Sequence, residues 1–138
     1  ERFEAAAACV DTQYAGFEIQ PGVAVNGHLT LGENIADMGG IKLAWDAYHL
    51  YRERAHPPTA LQHGDVTLTD EQLFFVGFAQ VWCTLATPEV EQVLIKTDSH
   101  SPPRFRVNGA LRNLPAFAET FACADDTPMN PKNRCEVW

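Results

Sequence analysis

The chain has 138 residues, of which 46% are apolar and 20% charged, a balance that supports one folded domain or a sizeable piece of one and excludes a disordered chain. The net charge is -8, with only 10 Lys and Arg, which argues against a nucleic-acid partner because phosphates call for a basic face. No apolar run approaches the roughly 18 residues of a membrane-spanning helix.

The sequence opens at Glu1 inside a helical pattern, without an initiator Met or a signal peptide. It is expected to be a fragment or a processed chain, with any targeting signal upstream. Residues 2–16 read as a helix, with the run Ala5 to Ala8 favouring it and Gly16 as its stop. Phe17 to Val25 is short and carries a Pro21-Gly22 turn. Thr30, with Glu33 three residues on, reads as a capping box for a long helix to about Arg54. Pro57-Pro58 and the polar run to Gly64 read as a loop. Thr69 with Gln72 is a second cap, opening a helix that extends through Cys83. Pro88 opens a helix through Lys96, a loop with two prolines covers 99–104, and short helices are predicted near 104–112 and 115–122. The tail 124–138 is rich in turn residues. No stretch alternates apolar and polar residues for long, so the fold is predicted to be mainly α with little or no strand.

The four cysteines, Cys9, Cys83, Cys123 and Cys135, contain no C-x-x-C pair, so a structural zinc site is not expected. Their wide spacing fits disulfides in an oxidising compartment, and it also fits four buried thiols.

Glu33 and Asp37 stand at i and i+4, on one face of the long predicted helix. Like charges so placed repel unless a cation or donors sit nearby. The apolar stripe Leu31, Ile35, Met38, Ile41 and Trp45 lies roughly opposite. Gly40 and Ala44 continue the acidic face, and small residues there are expected to admit a close neighbour, leaving the carboxylates partly enclosed. Two readings follow from spacing alone. One is a capping-box Glu with a solvated Asp; the other is a metal site, with one carboxylate as ligand and the second orienting a histidine ligand.

The words around this pair carry more. Residues 26–40, NGHLTLGENIADMGG, contain the G-E-N-I-A-D-x-G-G signature. Residues 72–75 (QLFF) with 78–83 (FAQVWC), then 98–107 (DSHSPPRFRV), then 129–131 (MNP) with 135–138 (CEVW), follow in order. Together these blocks resemble the neprilysin and endothelin-converting-enzyme family of zinc metallopeptidases along nearly the whole chain.

That resemblance implies the helical C-terminal subdomain of a thermolysin-like (zincin) catalytic domain, with residues 1–138 as its C-terminal portion. It implies Glu33 as the third ligand of one zinc ion and Asp37 as the acid that holds a ligand histidine in its tautomer. It implies His100 as the donor to the tetrahedral oxyanion and Arg106 as the grip on a substrate carbonyl or C-terminal carboxylate. Small peptides are the implied substrates, the upstream part of the same polypeptide is the implied partner, and an extracellular, periplasmic or membrane-anchored setting goes with them. It also implies a Cys9–Cys135 bridge. The counterparts of Cys83 and Cys123 pair with upstream residues, so these two are left free or paired with each other.

The residue types suit the chemistry by themselves. Zinc hydrolysis needs three protein ligands, an open position and a base, and a donor aimed at the developing oxyanion. Taken singly, however, His100 also reads as a surface histidine and Arg106 as an ordinary salt bridge. The family's H-E-x-x-H motif is missing: no two of His28, His49, His56, His63 and His100 are four apart. The chain alone is therefore expected to bind zinc poorly and to be inactive, the motif lying upstream. The alternative is a metal-free helical binding or structural module derived from the family.

Overall fold

The computed structural model describes residues 1–137; Trp138, the last residue of the terminal motif, and the side chain of His63 lie outside the described set. Arg2–Ala15 forms α1 and buries Ala7, Val10 and Tyr14 along one stripe. Glu18–Gln20 (β1) and Val23–Ala24 (β2) pair antiparallel around the Pro21-Gly22 turn, where Gly22 takes φ +80°.

The long helix α2 spans Gly27–Ala55 and starts one turn before the predicted cap. Asn26 is the cap, its side chain accepting from the Leu29 amide at 3.0 Å. Thr30 is buried inside the helix and gives its hydroxyl to the Asn26 carbonyl at 3.1 Å, so the Thr30–Glu33 capping box is not formed. Gly27 is needed where it stands, because a Cβ there would meet the Asp11 carbonyl oxygen of α1 at 2.2 Å. Ile35, Met38 and Ile41 are buried, with Leu31 and Trp45 at the margin of the same core, as the periodicity predicts. Gly40 and Ala44, by contrast, face outward, and no atom approaches Gly40. The neighbours of α2 come onto other faces, α1 along its first turns.

The expected loop after Pro57-Pro58 is a hairpin. Ala60–His63 (β3) pairs antiparallel with Val66–Thr69 (β4), Leu61 opposite Leu68. Its two-residue turn uses Gly64 at φ +60°. Both strands lie almost wholly in solvent, so no half-buried alternation marked them. Thr69 and Gln72 then form the predicted capping box of α3, Asp70–Val81, with bonds of 3.1 and 3.0 Å. The helix stops two residues short of Cys83. Pro88–Thr97 is α4, Pro103–Leu111 is α5 and Pro115–Thr120 is α6, each with Pro in its first turn.

Against α2 pack α1 and α5, while α6 lies against α3. The core joins Val10 and Tyr14 to Ile35, Met38, Phe75 and Leu111. Trp45 stacks on Phe75 at 4.7 Å and Phe117 meets Phe75 edge-on at 5.3 Å. Asn113 stitches the layers: it donates to Gln13 and the Gly109 carbonyl and accepts from the Cys135 amide, each near 2.8 Å. Beside it Cys9 and Cys135 form the disulfide that the resemblance implied. Cys83 and Cys123 are free thiols.

Candidate active site

Glu33 and Asp37 project from the same face of α2, and α5 answers them with Arg106. The Arg106 guanidinium donates Nε to Asp37 Oδ2 at 2.6 Å and Nη2 to Asp37 Oδ1 at 2.7 Å, a two-pronged bond. Nη2 also reaches Glu33 Oε2 at 3.4 Å. The Asp37 and Arg106 side chains keep only 10% and 11% of their surface exposed. Hydrogen bonds donated to Asp37 hold the guanidinium more firmly protonated than usual, against the opposing effect of its own burial. The Trp82 ring closes the other side, 4.0 Å from the guanidinium carbon.

His100 comes from the two-proline loop ahead of α5. Asp98 Oδ1 accepts from the His100 backbone amide at 2.9 Å and faces His100 Nδ1 at 2.7 Å. These two contacts, the backbone amide first, hold the Asp98 carboxyl below the usual carboxylate range. The opposite ring nitrogen, Nε2, points at Glu33 Oε2, 3.3 Å away. All four residues singled out in the sequence, Glu33, Asp37, His100 and Arg106, thus meet in one place. Asp37 touches Arg106 with both oxygens, and among the described residues no histidine is bonded to it.

Two participants escaped the sequence reading. Asp98 had a usable local signal, an Asx-type turn two residues before an amide. Trp82 had none, because its place under Arg106 is set by the end of α3.

A cavity of about 690 Å³ opens from this point, between the end of α3, α4 and the start of α5. Trp82, Leu94 and Ile95 supply apolar wall, with His100, Arg104 and Arg106 at the polar edge. Such a groove, apolar with a few converging polar groups, is the form of a site for an extended apolar-bearing ligand. Among the described residues no three His, Cys, Asp or Glu side chains gather to hold a metal ion. Glu33 nevertheless fits the part of a single ligand. Its carboxylate is 41% exposed, and an oxygen anion with one open side is what a zinc ion shared with other residues takes. Among the described residues no helix is long and apolar enough to cross a membrane.

The family model for peptidase family M13 matches residues 1–137. The chain is 49% identical to neprilysin-1 of Caenorhabditis elegans over 99% of its length. It is 46% identical to human endothelin-converting enzyme 1 over its full length. It spans 18% of the length of each of these relatives. Among solved structures, the Mycobacterium tuberculosis zinc metalloprotease ZMP1 in complex with inhibitor superposes with a TM-score of 0.86 at 34% identity, over 99% of this chain and 21% of that one. A Haemonchus galactose-containing glycoprotein complex superposes at 0.83, also at 34% identity. The mainly helical fold with two small hairpins is therefore a helical part of a zincin domain, and the chain belongs to peptidase family M13, the family of neprilysin and endothelin-converting enzyme.

Proposed function

We propose that this chain forms the C-terminal part of the catalytic domain of a zinc endopeptidase that cleaves small peptides, its remaining metal ligands and general base coming from the rest of a longer polypeptide. The observation that carries the reading is the meeting of Glu33, His100, Arg106 and Asp37 in one cluster, of which His100 and Arg106 line a groove. In it Glu33 is a zinc ligand, and the bound ion supplies Lewis-acid polarisation and an acidified water. His100, with Nδ1 given to Asp98, turns Nε2 to the groove and donates there to a developing oxyanion. Arg106 grips a peptide carbonyl or terminal carboxylate, and Asp37 holds it and orients a histidine ligand from the remainder of the domain. The setting is an extracellular or periplasmic one, in keeping with the Cys9–Cys135 bridge.

The test is a set of variants in the full-length protein. Glu33→Ala should abolish zinc binding, and activity that persists without metal refutes the ligand assignment. His100→Ala should keep zinc but lower kcat by roughly 10²–10³, the usual loss of one oxyanion donor. Arg106→Ala should raise KM for peptides with a free carboxylate. The 138-residue chain alone should neither hold zinc tightly nor hydrolyse peptides; one bound zinc with turnover would overturn the proposal that its site is shared.

A further inference from the structure

Glu33 and His100 lie 67 residues apart in sequence, and their own contact is long and half exposed. Something else must set their spacing. The residue following each is buried, and those two residues touch. Asn34 is wholly buried and Ser101 is 2% exposed. Ser101 Oγ donates to Asn34 Oδ1 at 2.7 Å. Asn34 Nδ2 donates in turn to Thr30 Oγ1 at 2.9 Å, and Thr30 donates to the Asn26 carbonyl at 3.1 Å. Ser101, Asn34 and Thr30 each donate in the same direction along the row, Thr30 also lying 3.5 Å from the Gly27 carbonyl. Turning the Asn34 amide over would present its NH₂ to Ser101 and require both the Ser101 and Thr30 hydroxyl protons to be redirected. The row ends on the cap of α2, a rigid anchor.

We propose that Asn34 and Ser101 are positioning residues, a buried relay that fixes the loop bearing His100 at a set distance from Glu33. It ties the residues that follow Glu33 and His100, while the Arg106–Asp37 pair ties α5 to α2 beside them. Small hydroxyl and amide groups suit this task. They are short, have few rotamers, and lose little freedom when buried.

The inference rests on the peptidase reading, and its test separates the two. In the full-length peptidase, Ser101→Ala should lower kcat by about tenfold, the scale expected when a catalytic group shifts by a fraction of an ångström. Zinc content should not change and KM should stay within about twofold. In a His100→Ala background Ser101→Ala should add no further loss; losses that multiply would show that Ser101 acts through general stability, and would overturn the proposal. Thr30→Val, nearly isosteric and at the far end of the relay, should lower kcat in the same direction by a smaller factor, which keeps the test open should Ser101→Ala fail to fold. A crystal structure of Ser101→Ala (or of Thr30→Val) decides independently of turnover. The His100 ring should leave hydrogen-bond reach of Glu33. A ring that stays in place sinks the relay even if His100→Ala shows the peptidase reading to be right. A displaced ring with a turnover indifferent to His100 supports the relay and removes His100 from the proposed mechanism instead.

Discussion

Replacing Asp37 by Ala leaves Arg106 charged, 11% exposed and without the two short bonds that hold it. Removing one partner of a buried ion pair costs about 3–5 kcal/mol, because the survivor keeps its desolvation penalty. Two contacts soften that here. Glu33 remains at 3.4 Å, and the Trp82 face under the guanidinium is worth about 1–2 kcal/mol when desolvated. Asp37→Ala should therefore cost about 2–3 kcal/mol. Arg106→Ala removes the charge but also the buried stem packed on Trp82, and should cost about 3 kcal/mol. The double variant should cost about 2 kcal/mol less than the sum, since neither charge is then stranded. Urea unfolding of the four purified chains, followed by far-UV circular dichroism, measures all of this, provided the slopes agree. Additivity to within about 0.5 kcal/mol would show that the pair is not coupled, and the description of this junction would be wrong.

Three further outcomes are expected. Reducing the Cys9–Cys135 bridge, which spans 126 residues, should cost about 5 kcal/mol by loop entropy, read as the difference in urea midpoint between the oxidised chain and Cys9→Ala/Cys135→Ala; equal midpoints would rule out a bridge in solution. Gly109→Ala should cost about 1–3 kcal/mol by overpacking, because a Cβ there would lie 2.5 Å from the buried Tyr14 ring, and a wild-type melting temperature would show that the two helices are not so close. Burial first, then the bond to Asp70, pushes the Tyr48 phenol up to about 12, and burial, with Asp37 second, raises Tyr14 as well. Both bind their proton more tightly folded than unfolded, so their contribution is complete below the ordinary phenol value of about 10. It is lost as pH rises through the folded values. Absorbance at 295 nm should show two late phenols titrating together with loss of helical signal, and two early ones would refute the burial.

Much of the helical frame was legible because it is local. Thr69 with Gln72 announces α3 and Pro88 announces α4 by groups within a few residues of each start. The same kind of signal misled at Thr30, where a Ser/Thr-x-x-Glu pattern sat one turn inside a helix already capped by Asn26. Thr30 instead donates its hydroxyl to the Asn26 carbonyl and accepts from the Asn34 amide. The β3–β4 hairpin stayed hidden because neither strand buries a face. At the candidate site, the spacing of Glu33 and Asp37 could be read directly, whereas His100 and Arg106 gained meaning only from the motif blocks. Asn34, Ser101 and Trp82 matter through contacts across 20 to 70 residues, which no local pattern encodes.

The placement of Glu33 and Asp37 also dictates an order of events. In an isolated α2 the two carboxylates sit one turn apart and repel, costing a few tenths of a kcal/mol. Their counter-charge, Arg106, follows Asp37 by 69 residues, beyond the hairpin, α3 and α4. The first turns of α2 therefore carry a small local penalty that is relieved only when α5 brings in Arg106. The full set of contacts at this junction exists only with α5 in place, so loosening α5 opens it. Hydrogen exchange at Asn34 and Ile35 should follow the docking of a helix that starts at Pro103, and not the stability of the helix they belong to.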